Sequence, residues 1–158
     1  MLRSILVGAE GVILRPNWDA YAASKPIWEG LSLIKELSAV SRLVVAVGVT
    51  DSDRASFFLR TEGIKASVVP ILKENATLDR WEAQWKIVER QRAQGPIDFV
   101  ITSYGPVFQK CLISYQAALM FGSKGAFIGT EEIAPWTQIE SEMDRRLEIK
   151  ANDEEQKV

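Results

Sequence analysis

Histidine is absent from all 158 residues of the chain. Its absence removes Ser-His-Asp and Cys-His nucleophile arrangements and every metal site built on imidazole. Cysteine occurs once, at Cys111. No intramolecular disulfide can form, so a reducing cytoplasm is the expected compartment. Flanked by Phe108, Leu112 and Ile113, that thiol reads as a packing residue rather than a nucleophile. An excess of either charge is also missing: 19 Lys and Arg stand against 21 Asp and Glu, a net charge of −2. Nucleic-acid binding usually shows a basic stripe or a domain pI above ~9, and the pI here is near 5.3. No nucleic-acid partner is expected. No run approaches the roughly 20 apolar residues that span a bilayer. Met1-Leu2-Arg3-Ser4 passes straight into a short apolar strand, too early for a secretory leader. A membrane partner is therefore not expected either.

What is present is an ordinary globular composition, 47% hydrophobic and 25% charged, of a length that suits one domain. That domain is expected over residues 1–150. The polar, charged tail 151–158 is expected to be disordered. Residues 4–8 form an apolar run that ends at Gly8, and Leu43 to Val47 form a second, valine-rich run. Both read as buried strands. Residues 15–25 read as a loop, and a helix opens with Pro26 in its first turn, placing Ile27, Leu31, Ile34 and Leu37 on one face. Thr50-Asp51-Ser52-Asp53 offers caps for a helix that buries Phe57, Phe58 and Leu59 and stops at Gly63. Val68 to Leu72 is a short strand. Asp79 to Gln94 reads as a helix with Trp81, Trp85 and Val88 on one face. Phe99 to Ile101 is a strand, Pro106 to Ser114 a helix, and Ala117 to Phe121 the last core strand. A final helix opens near Pro135 with Trp136, Ile139, Met143 and Leu147 together. Alternating strands and helices predict an α/β, three-layer Rossmann-like fold with a central parallel sheet and no large cap domain.

The segment Ile5-Leu6-Val7-Gly8-Ala9-Glu10-Gly11-Val12-Ile13-Leu14 resembles the first signature of the haloacid dehalogenase-like (HAD) superfamily. That signature is an apolar strand followed by Asp, any residue, Asp, Gly, Val or Thr, and Leu or Ile. The resemblance extends over most of residues 3–147. Pro26-Ile27-Trp28-Glu29-Gly30-Leu31 looks like the family's helix before the second strand, and Leu43 to Val47 like the strand of the second motif. It implies a compact, capless member of the family. It also implies that the catalytic positions are degenerate. Gly8 stands where the nucleophilic Asp belongs and Glu10 where the acid/base Asp belongs. Gly48 takes the place of the phosphoryl-binding Thr or Ser, with Thr50 two residues on. Lys73, Arg80 and Lys86 all fall in the stretch that supplies the third motif's cation. In Asp98-Phe99-Val100-Ile101-Thr102-Ser103, the places of the fourth motif's metal-binding Asp residues are held by Thr102 and Ser103.

The chemical consequence is direct. Phosphoryl transfer in that family needs an ionised carboxylate as nucleophile, and Gly8 has no side chain. Mg²⁺ takes oxygen ligands and is usually anchored by one or two carboxylates, so no cofactor is expected. Gly8 reads as a relic position, with close ligand approach as the alternative. Glu10 reads as a loop hydrogen-bonding residue, with residual acid/base work as the alternative. Gly122-Ser123-Lys124-Gly125 lacks the Walker spacing and reads as a turn, and Glu89-Arg90-Gln91-Arg92 as a solvated helix face. Trp18 and Tyr21, in the loop beside the former active-site mouth, are the candidate surface for a protein partner. The expected function is that of an inactive HAD-like pseudoenzyme acting through protein contact. Small degenerate copies of this kind turn up in microbial and phage genomes, and the resemblance makes phage an expected origin. The alternatives are a divergent Mg²⁺-dependent phosphatase, with Glu10 as base and the metal on Asp51 or Asp98, and a phosphometabolite-binding module.

Overall fold

The computed structural model describes residues 3–15, 25–48, 51–70, 78–122, 125–128 and 132–134. Over these residues the chain runs β1 (Arg3–Gly8), α1 (Trp28–Ser38), β2 (Ser41–Val47), α2 (Ser52–Thr61), β3 (Ser67–Pro70), α3 (Arg80–Gln94), β4 (Phe99–Thr102), α4 (Gly105–Ile113), β5 (Ala118–Gly122), β6 (Gly125–Ile128) and β7 (Glu132–Ala134). The strands form one sheet in the order β3-β2-β1-β4-β5-β6-β7. The five strands from β3 to β5 are parallel, with Val7 of β1 opposite Val45 of β2 and Ile101 of β4.

Strand alternation sorts the core into two layers. Ile5 and Val7, Leu43 and Val45, and Phe99 and Ile101 pack with Leu31, Ile34 and Leu37 of α1 and Phe58 and Leu59 of α2. Leu6, Ala46 and Val100 face the other way, onto Ile87 and Val88 of α3 and Val107, Phe108 and Cys111 of α4. Each fully buried Leu, Ile or Phe contributes about 1.5–3 kcal/mol relative to exposure. Because period-two strands cover both faces, the sheet is buried on both sides, as parallel sheets are. The result is the expected three-layer, Rossmann-like α/β arrangement. No cap domain occurs among the described residues, and no described helix is long and apolar enough to cross a membrane.

Several boundaries differ from the expectation for identifiable reasons. Pro26 lies outside α1. Its backbone bridges Leu14, and Arg15 N–H donates to the Lys25 carbonyl and Ile27 N–H to the Ile13 carbonyl, so the helix cannot begin before Trp28. Gly30 lets α1 approach the turn after β1, because a Cβ there would overlap the Val12 carbonyl oxygen. Phe57 is 48% exposed, and Ala55 takes its expected place on the buried face of α2 beside Phe58 and Leu59. Asp51 holds the N-cap position of α2 but makes no side-chain cap hydrogen bond.

Past β5 the sheet continues with two antiparallel strands that short, mixed segments did not announce. Gly122 pairs with Gly125, so Gly122-Ser123-Lys124-Gly125 connects β5 to β6, and β7 pairs back onto β6. The expected helix from Pro135, with Trp136, and the tail 151–158 lie outside the described residues.

Candidate functional site

The strand order reverses its direction of growth at β1. From there β2 and β3 extend to one side through α1 and α2, and β4 and β5 to the other, reached through α3 and α4. Open α/β sheets bind ligands at the carboxyl ends of the strands beside such a switch point. A cavity of about 80 Å³ occupies that place, lined by Glu10 after β1, Gly48 and Asp51 after β2, Arg80 and Gln84 from α3, and Tyr104 after β4. It has room for a few waters or a small ion and too little for a ligand of nucleotide size.

Gly8 ends β1 next to this cavity, and its missing side chain is replaced from another element. A Cβ built on Gly8 would overlap the side-chain amide of Gln84. Gln84 is 2% exposed and reaches in from α3. Its Oε1 accepts a hydrogen bond from the Thr102 hydroxyl at 2.5 Å. The Thr102 oxygen in turn accepts from Tyr104 N–H at 3.1 Å. The position that the resemblance assigns to the nucleophile is thus a glycine covered by an amide. Of the two it assigns to the fourth motif's metal-binding carboxylates, Thr102 is a hydroxyl tied to that amide and Ser103 one that donates to the Glu10 backbone carbonyl. The residues present do not fit the family's Mg²⁺ site. Among the described residues no group of three or more Cys, Asp and Glu could hold a metal ion.

Glu10 is 6% exposed. Its extra methylene, compared with aspartate, carries the carboxylate to Gly48, whose N–H donates to Oε1 at 2.6 Å. A Cβ on Gly48 would stand 3.0 Å from that oxygen, so the lengthened acid and the shortened partner are sterically matched. Ser103 donates its hydroxyl to the Glu10 backbone carbonyl at 2.6 Å. Burial pushes the Glu10 carboxyl above its ordinary value and the nearby Asp51 charge adds to this, against the Gly48 hydrogen bond and the Arg80 charge. Burial also pushes the Tyr104 hydroxyl up to about 12, although Arg80 hydrogen-bonds it.

Among the cation candidates, Arg80 is at the cavity, whereas Lys86 is 58% exposed and pairs with Glu89 at 3.9 Å. Lys73 and Thr50 lie outside the described residues, as do Trp18 and Tyr21. Asp98 is corrected as a metal candidate. It precedes β4 at the amino end of the sheet, where its carboxylate accepts from Ser4 N–H at 2.8 Å, far from the strand ends that carry Glu10. Arg92 of the presumed solvated face is half-buried, with its guanidinium 5.9 Å from the Trp85 ring centre. Cys111 is fully buried, and burial raises its thiol to about 12, the state of an inert packing cysteine.

Sequence reasoning missed Gln84. Its signal was a polar residue on the apolar face of α3, three residues after Trp81 and four before Val88, where only a partnered amide is tolerated. No family model matches the chain, and no curated protein matches its sequence.

Two outcomes follow from this packing. Gly8→Asp must displace Gln84 and bury a second carboxylate near Glu10, which is expected to cost about 3 kcal/mol or more. Adding Gln84→Ala should recover about 1–2 kcal/mol of that loss. Urea unfolding of both single variants and the double variant measures the coupling, and strictly additive losses would contradict the shared niche. The second outcome concerns pH. Between 4.5 and the raised native value, the folded protein holds a proton on Glu10 that the unfolded chain has released. This contribution to stability therefore falls as pH rises through that interval. Glu10→Gln keeps an acceptor for Gly48 and removes the titration, so its stability should vary less between about pH 4 and about pH 8. Equal slopes in denaturant titrations of both proteins would refute the assignment.

Proposed function

We propose that this chain is a HAD-like pseudoenzyme, a phosphotransferase-type fold whose reaction centre has become a self-bonded packing unit and which acts by protein contact. The observation that carries the reading is the placement of Gln84 over Gly8, with its oxygen bonded to Thr102. Phosphoryl transfer depends on a positioned nucleophile and on electrostatic stabilisation of the transferring group. At this centre a carboxamide fills the nucleophile's place, and Glu10 is committed to Gly48. The raised Glu10 carboxyl is the feature that a divergent phosphatase would use. It has neither a second carboxylate at position 8 or 102 nor space beside it for a large phosphoester.

The contact half of the reading draws on one exposed aromatic side chain among the described residues and on two aromatic residues of the preceding segment. Trp28 is 60% exposed at the start of α1, downstream in sequence of Trp18 and Tyr21, and aromatic anchors dominate binding energy at protein interfaces.

Hydrolysis of a generic aryl phosphate, with and without Mg²⁺, tests the catalytic half. The expected rate is that of buffer alone, unchanged by Glu10→Ala. Mg²⁺-dependent turnover lost in that variant would overturn the proposal. For the contact half, the tagged protein should recover a specific protein partner, and Trp18→Ala, Tyr21→Ala or Trp28→Ala should reduce recovery by about tenfold at a true anchor. Undiminished recovery in all three would rule out this surface.

A further inference from the structure

α3 and α4 lie side by side on one face of the sheet, and an aromatic seam runs between them. Trp81 and Trp85 stand one helical turn apart on α3, so both rings turn to the same side, and the core half-buries them. Lys110 of α4 holds its Nζ 6.0 Å from the Trp81 ring centre and 5.8 Å from that of Trp85. Arg92 approaches Trp85 from α3, and its Nη1 donates to the Ser114 hydroxyl at 3.2 Å. Both cations therefore converge on the Trp85 ring. A cation–π contact fixes a cation's position and leaves its charge in place. Neither Lys110 nor Arg92 is paired with a carboxylate among the described residues. α4 carries no acidic residue. On α3, Glu82 sits in the first turn and Glu89 is engaged with Lys86.

The end of α4 adds apolar surface to this seam. Ile113 is 77% exposed and Tyr115 98%, more than any other large hydrophobic side chain among the described residues. They flank Ser114, the residue that Arg92 bonds. Tyr115 has a φ of 58°. Its N–H donates to the Leu112 carbonyl at 3.1 Å, and Gln116 N–H donates to the Cys111 carbonyl at 2.8 Å. This is the bonding of a helix end at which glycine is the usual residue. A tyrosine in the left-handed region gives up local stability, and a ring in solvent recovers none of it by packing. Tyr, Trp and Arg are the side chains that dominate binding energy at protein interfaces, and all three meet here.

We propose that the α3–α4 seam and the exposed end of α4 form a docking site for an acidic segment of a partner protein. Lys110 and Arg92, held in place by the tryptophan rings, receive its carboxylates. Ile113 and Tyr115 take an apolar or aromatic side chain of the same segment. Charge complementarity sets the choice of partner, and the exposed isoleucine favours a peptide over a nucleic-acid backbone. The site lies on the sheet face opposite α1, which carries Trp28, and does not rest on the pseudoenzyme reading.

Selection of a random linear peptide display library on the full chain tests the assignment. Enriched peptides are expected to combine Asp or Glu with an aromatic or aliphatic residue. On titration they should shift the indole N–H resonances of Trp81 and Trp85 and the backbone amides around Tyr115. Arg92→Glu and Lys110→Glu should each weaken binding of the selected peptide by about tenfold. Tyr115→Gly should weaken it comparably while raising the urea midpoint of the fold, a pairing that a purely structural tyrosine would not give. Val40→Ser, at an exposed site after α1, should leave binding unchanged. Enrichment of basic or uncharged peptides, no enrichment, shifts confined to other surfaces, or an affinity indifferent to Arg92 and Lys110 would each overturn the proposal. Unchanged affinity in Tyr115→Gly would overturn the role given to the end of α4.

Discussion

Gln84 reaches from α3 across the carboxyl ends of β1 and β4, and the chemistry of the neighbouring positions follows from that reach. Its amide needs the space beside Gly8, so position 8 must lack a side chain. Its oxygen needs a donor in a dry environment, and Thr102 provides one where a carboxylate would repel it. Its nitrogen has no hydrogen-bond partner. That imperfection is offset by the packing of α3 on Leu6, Ala46 and Val100. A buried amide half-satisfied in this way tolerates few neighbours, which makes the Gly8, Gln84 and Thr102 identities a coupled set.

A second coupled set lies across the same cavity. Glu10, longer than the aspartate it resembles, meets Gly48, which has no Cβ to keep it away. Ser103 fastens the Glu10 carbonyl from β4's side. The carboxyl end of the sheet is therefore closed by the chain's own polar groups. Each end of the sheet keeps one buried polar atom without a hydrogen-bond partner among the described residues, Gln84 Nε2 at the carboxyl end and the Ser41 hydroxyl at the amino end.

Much of the fold could be read from periodicity. The runs at residues 4–8 and 43–47 are continuous because both faces of a parallel sheet are buried, and α1 shows its spacing because a single stripe meets the core. Periodicity carried less information where structure depends on pairing between distant segments. β6 and β7 are short, and their identity comes from the antiparallel register with β5. Pro26 looked like a helix start, yet backbone bonds from residues 13–15 hold that stretch extended. The site was half legible. Gly8, Glu10, Gly48 and Thr102 drew attention as departures from a signature, but their mutual compensation runs through Gln84, a residue no signature marks. Sequence distance of 76 positions between Gly8 and Gln84 hides a contact that three dimensions make obvious.

The most direct measurement of the central claim is the solvent exchange of the Gln84 side-chain amide protons, followed by NMR with and without Mg²⁺ and beryllofluoride, a phosphoryl mimic. Slow exchange and resonances that do not move on adding either reagent are the predicted result, since the amide fills a closed niche. Rapid exchange, or a shift produced by Mg²⁺ and beryllofluoride together, would mean that the niche opens to a phosphoryl group and would contradict the account.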